Sequence, residues 1–145
     1  MPVQILSAKK SSVKDRFKNL DLSTSYSIVT SARKGVNPKV FYEFADTIKM
    51  PEKVLASIIN LSSRTISNYT EQHKSLDPVN SEHLLKLIGL YDSGETIFGS
   101  VDEFNYWLRK PLWNSKETPF DWITTPGGVD LVSDELANLA EGYPV

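Results

Sequence analysis

The sequence predicts an all-α protein: a helical bundle with an N-terminal helix-turn-helix part and a C-terminal helical part. Three observations predict it. Apolar residues recur three and four positions apart along most of the chain, which is helical rather than strand periodicity. Ser, Thr or Asn stands just before most of the periodic stretches, several times with proline next, the signature of a capped helix start. No pair of alternating apolar runs is joined by a tight turn, and no internal repeat appears. Together these give about seven helices.

Residues 1–24 are polar and basic, with Lys9, Lys10, Lys14, Arg16 and Lys18 among serines, and read as a loosely ordered basic arm. Tyr26 to Arg33 is a short apolar run before Lys34-Gly35; periodicity does not separate a short helix from a strand there. Asn37-Pro38 caps a helix carrying Val40, Phe41, Phe44 and Ile48, which ends near Met50. Pro51 opens a second, with Val54, Leu55, Ile58 and Ile59 on one face. Asn60-Leu61-Ser62-Ser63 breaks it, and Ser62 or Ser63 caps a third helix to about Gln72. Asp77-Pro78-Val79-Asn80 forms a turn, with Asn80 expected to cap a longer helix striped by Leu84, Leu87, Ile88, Tyr91 and Ile97-Phe98. Ser100-x-x-Glu103 is a capping box leading into Phe104, Trp107 and Leu108, with Pro111 as the stop. Thr118-Pro119 starts a short helix, Thr125-Pro126 the terminal one, and Gly142 ends it. The expected parts are residues 1–24 as arm, 25–79 as helix-turn-helix part and 80–145 as C-terminal part.

A chain of 145 residues suits one compact domain or two small subdomains sharing a core. Without cysteine it has no disulfides and no thiolate chemistry. It shows no apolar run of about 18 residues and no signal-peptide core, so a cytoplasmic protein with no membrane role is the expectation. The net charge of −2 conceals a split. Residues 1–75 hold 12 Lys/Arg against 6 Asp/Glu, and residues 76–145 hold 4 against 12. One half suits a polyanion and the other a basic partner, or the split serves only solubility.

Residues 51–72 fit a helix-turn-helix. Leu55, Ile58 or Ile59, Leu61 and Ile66 would pack the two helices together. Ser63, Arg64, Thr65, Ser67 and Asn68 would face DNA. Arg suits guanine, Asn suits adenine, and the hydroxyls suit phosphate. The bland alternative is an αα-corner of a bundle with a polar outer face. The clustered Trp107, Trp113, Trp122, Phe104 and Phe120 are expected in the core of the C-terminal part, with Trp113 nearest the surface. His73 and His83 lack partners in ligand spacing, so no metal and no cofactor is expected. No nucleophile–base arrangement or phosphate loop stands out, which argues against an enzyme.

From Asn37 to Val145 the chain resembles the Xre/MbcA/ParS antitoxins, the partners of RES-domain toxins. The resemblance rests on the order of four stretches. "VLASIINLSSRTISNY" is similar to the family's helix-turn-helix corner. "VNSEHLLKLIGLYDSGETIFGSVDEFNYWLRKP" resembles its long helix, acidic-Phe-Gly turn and Trp-Leu-x-x-Pro signature, here Trp107-Leu108-Arg109-Lys110-Pro111. "TPFDWITTPGGVDLVSDELANLAEGYPV" resembles its ending. Leu112-Trp113-Asn114 stands where the family usually has Leu-Gly-Gly, and the reading helix holds less arginine than is usual.

The resemblance implies a two-part protein whose N-terminal part binds operator DNA and forms a homodimer. Its C-terminal part would bind a RES-domain toxin that degrades NAD or ADP-ribosylates, occluding the toxin's active site with the chain's last residues. The toxin contacts it implies are Asp134, Asn138, Glu141, Gly142, Tyr143, Pro144 and Val145. A helix stop with Tyr143 folded back on its own helix is the plainer account of the tail. The competing functions are a stand-alone transcriptional regulator whose C-terminal bundle only dimerises, and a helical domain with no DNA role.

Overall fold

The computed structural model describes residues 12–112 and 115–142. Among them are nine helices and no strand. The helices are α1 (Val13–Arg16), α2 (Ser25–Lys34), α3 (Pro38–Thr47), α4 (Glu52–Ile58) and α5 (Ser63–Glu71), followed by α6 (Pro78–Phe98), α7 (Val101–Leu108), α8 (Pro119–Trp122) and α9 (Pro126–Ala140).

Their starts are chemically specified. Ser12, Asn37, Ser62, Ser100 and Thr125 each accept a backbone N–H from the first turn of the helix that follows. Each such cap is worth about 1 kcal/mol. Thr24 and Ser27 form a full capping box at α2, which settles Tyr26–Arg33 as helix.

Helix α6 is the axis. Ser81, His83, Leu84, Leu85, Leu87, Ile88, Leu90, Tyr91 and Gly94 are all buried on it. Helices α1, α2, α7 and α9 all pack against it. Its middle anchors a chain of edge-to-face rings: Phe17 on Phe44, Phe44 on Tyr91 and Tyr91 on Phe104, with centroids 5.9, 5.5 and 4.9 Å apart. Such pairs contribute about 0.5–1.5 kcal/mol each beyond burial. The Tyr91 hydroxyl donates to Asn105 Oδ1 at 2.6 Å, and Asn105 Nδ2 donates to the Ile48 carbonyl. Burial pushes the Tyr91 phenol upward, with the Arg109 charge pulling weakly the other way.

Three expectations need correction. The arm is not loose as far as residue 24: Val13 and Phe17 are buried, and the Val13 N–H donates to Glu95 Oε1 at 2.8 Å. The amphipathic pair Val13/Phe17, at helical spacing, was masked by the surrounding lysines and serines. Asp77, not Asn80, is the cap position of α6, because Pro78 takes the first helical position. Asn80 instead donates to the Ile59 carbonyl at 2.8 Å. Trp107, Trp122 and Phe120 are only partly buried against the core, while Phe104 is wholly inside. Trp113 lies outside the described residues.

Candidate functional site

The α4–α5 corner has the geometry of a reading motif. Asn60 sits at φ +64, a left-handed turn that Asn tolerates better than most residues. Leu55, Ile58, Ile59 and Ile66 are buried beneath the corner, with Leu61 packed against them. Ser62 Oγ accepts the Thr65 N–H at 3.0 Å and lies 2.9 Å from Thr65 Oγ1.

Of the five residues expected to face DNA, Ser63, Arg64, Ser67 and Asn68 are exposed on α5 and share its outer side. Thr65 is half-buried, with its hydroxyl engaged in the cap. Glu71, exposed one turn past Ser67 and Asn68, makes the far end of that face acidic.

Two hydrogen bonds fasten this corner to the C-terminal part: Asn80 holds Ile59 as described, and Asn60 Nδ2 donates to the Thr124 carbonyl at 3.4 Å. Next to them, His83 Nε2 on α6 lies 2.8 Å from the Ile123 carbonyl. A carbonyl only accepts, so His83 carries its proton on Nε2. Burial lowers the pKa of His83, opposed by the Ile123 bond, and keeps the ring neutral. The charges facing it are Lys86 and Glu82. Lys86 in turn bridges Glu82 at 3.5 Å and Asp130 at 2.9 Å. Burial pushes the Lys86 ammonium down, but its two carboxylate partners outweigh this and raise it.

These bonds set the start of α9. Thr125 Oγ1 accepts the Gly128 N–H at 3.0 Å. Gly128 is obligatory, since a Cβ there would stand 1.6 Å from the Trp122 carbonyl oxygen. Gly127, beside it, has nothing within 4 Å of its would-be Cβ. Val129, Val132 and Leu136 are buried on the inner face, with Leu139 packed against the core.

Asp134 and Glu141 are exposed and Asn138 half-buried. At spacings of four and three residues they form one outward stripe. Gly142, exposed at φ +83, donates its N–H to the Leu139 carbonyl at 3.0 Å and closes the helix. Tyr143, Pro144 and Val145 lie outside the described residues.

Leu131, 47% exposed, lies on the same stripe and was missed from sequence. Its signal was available: it stands three before Asp134 and seven before Asn138, off the core stripe. From Glu117 to Val145 the chain has no Lys, Arg or His. The stripe carries Asp134 and Glu141 beside neutral residues and lacks a cation of its own, and the nearby Asp130 is already paired with Lys86. Elsewhere, the Arg109 guanidinium lies 4.0 Å over Phe120 and Lys110 lies 4.3 Å over the exposed Tyr106. No group of three His, Asp or Glu residues suited to a metal occurs among the described residues. None of the described helices is long and apolar enough to cross a membrane.

Two family models match the chain. The antitoxin Xre-like helix-turn-helix domain covers residues 27–89, and the antitoxin Xre/MbcA/ParS C-terminal toxin-binding domain covers residues 93–142. A curated relative, antitoxin Xre of Pseudomonas putida KT2440, is 31% identical over 81 residues. That match takes in 55% of this chain and 51% of the relative, so it spans about half of the relative's length.

Proposed function

The chain belongs to the Xre/MbcA/ParS antitoxin family, and from that premise we propose that it is the antitoxin of a type II toxin–antitoxin pair. Its C-terminal part neutralises a RES-domain toxin, one that degrades NAD or ADP-ribosylates, by covering the toxin's active site. It acts in the cytoplasm and catalyses nothing itself. The observation that carries this reading is the outward face of α9, with Asp134, Asn138 and Glu141 aligned and no cation of its own. A cleft that handles a phosphate-bearing dinucleotide must be basic, and an acidic helix complements it. Gly142 releases the chain from α9, and Tyr143, Pro144 and Val145 fill the cleft.

The α4–α5 corner supports a second role in the same protein, repression of its own operon. The chain acts there as a homodimer that places two α5 helices in successive major grooves. Arg64 and Asn68 read bases, and Ser63, Thr65 and Ser67 engage phosphates or fix the helix against them.

The test is co-expression with any RES-domain protein found encoded beside this gene, following growth and cellular NAD. The full chain should preserve both, and a chain lacking residues 142–145 should preserve neither. Normal NAD with the truncated chain would overturn the plug mechanism. Absence of any RES-type neighbour would favour a stand-alone regulator.

A further inference from the structure

Two features of α9 are left over by its acidic character. Gly127 is a helical glycine with empty space where its side chain would be. Nothing in its own fold asks for glycine there, unlike Gly128, although glycine weakens a helix by about 1 kcal/mol relative to alanine. Leu131 lies one turn further on, 47% exposed, while the core face of α9 is already filled by Val129, Val132, Leu136 and Leu139. Residues 127, 131, 134, 138 and 141 fall on one side of the helix at three- and four-residue steps. A glycine in such a position lets another backbone come close.

We propose that Gly127 and Leu131 form an apolar seat at the N-terminal end of the α9 contact face. The seat takes an apolar segment of the partner that lies next to the partner's basic surface. The proposal rests on the antitoxin reading and adds the chemistry of the partner's other half. The seat begins at Gly127, about two turns before Asp134, and its Leu131 end lies about 15 Å along the axis from Glu141. The partner must therefore present an apolar patch at that distance from its basic cleft. Acid–base pairing would govern the encounter, and the seat would govern how long the complex lasts.

The experiment titrates the full-length chain against a RES-domain protein, the toxin class of the proposed function, at two salt concentrations. Leu131 is 47% exposed and a side chain at Gly127 would enter open space, and circular dichroism and thermal melting check that each variant folds. Leu131→Ala should weaken binding about tenfold through faster dissociation, equally at both salts. Leu131→Glu is the sharper variant: a purely electrostatic contact would tighten with the added acid, whereas a seat loses at least tenfold. Gly127→Leu should raise the melting temperature or leave it unchanged and still weaken binding. Asp134→Lys should weaken binding more at low salt than at high salt. If Leu131→Glu binds as well as or better than the parent, the seat is wrong and the antitoxin reading stands. If the parent chain itself does not bind, the antitoxin reading has failed.

Discussion

Gly127 and Gly128 are neighbours in the first turn of α9, and the structure predicts that alanine has opposite effects at the two. At Gly128 the new Cβ would stand 1.6 Å from the Trp122 carbonyl oxygen and 2.7 Å from its carbon. Both are backbone atoms of the preceding helix, so no side chain can swing aside. The two helices must separate by more than an ångström, which strains the Thr125 cap at 3.0 Å and the His83–Ile123 bond at 2.8 Å.

Overpacking of this kind destabilises by about 1–3 kcal/mol and loss of a cap by about 1. The gain in helix propensity returns less than 1 kcal/mol. The net expectation for Gly128→Ala is a loss of about 2–3 kcal/mol. At Gly127 only the propensity gain remains, so Gly127→Ala should stabilise by about 0.5–1 kcal/mol. Melting temperatures should then differ by about 5–16 °C between the variants, at about 2–4 °C per kcal/mol for a chain of this size. Urea unfolding followed at 222 nm measures both. Equal stability of the two variants would refute the close contact between α8 and α9.

Three further outcomes follow from the same geometry. His83 is kept neutral by burial, so its folded pKa lies below the ordinary 6.5. The stability associated with that is fully present above pH 6.5 and is lost as pH falls, because the unfolded chain takes up the proton first. Between pH 7 and 5, His83→Gln should flatten the pH dependence of urea unfolding. Tyr91→Phe removes the 2.6 Å donor to Asn105 and should lower unfolding free energy by about 1–2 kcal/mol. Arg64→Ala, exposed on α5, should leave the melting temperature unchanged and weaken operator binding by about 1–3 kcal/mol in a gel-shift titration. It should also reduce the salt dependence if Arg64 contacts phosphate.

Much of the fold was legible because its determinants are local. Asn37, Ser62, Ser100 and Thr125 cap the helices they precede, and the core positions of α3 to α7 follow helical spacing. What escaped depends on contacts between distant residues. Val13 looks like part of a basic arm until Glu95, 82 positions away, accepts its N–H. Asn80 looks like a cap, yet its side chain spans to the helix-turn-helix corner. His83 looks isolated in sequence because its partner is a backbone carbonyl, which no side-chain pattern reveals.

At the candidate site the outward α9 stripe was readable for its polar members. Leu131 was absorbed into the general amphipathicity of the helix, although its register aligns it with Asp134 and Asn138 rather than with the buried Val132. Thr65 shows what a list of suitable side chains omits: its hydroxyl also lies 2.9 Å from Ser62 Oγ, within the cap of its own helix.

The proposed function turns on the acidic outward face of α9 holding a basic partner, and calorimetric titration of a RES-domain protein with the full chain and with the double variant Asp134→Lys, Glu141→Lys tests it. The parent should bind tightly and more weakly as salt rises, and the double variant should lose at least tenfold while its melting temperature is unchanged. Equal affinity of the two proteins at low salt would contradict it.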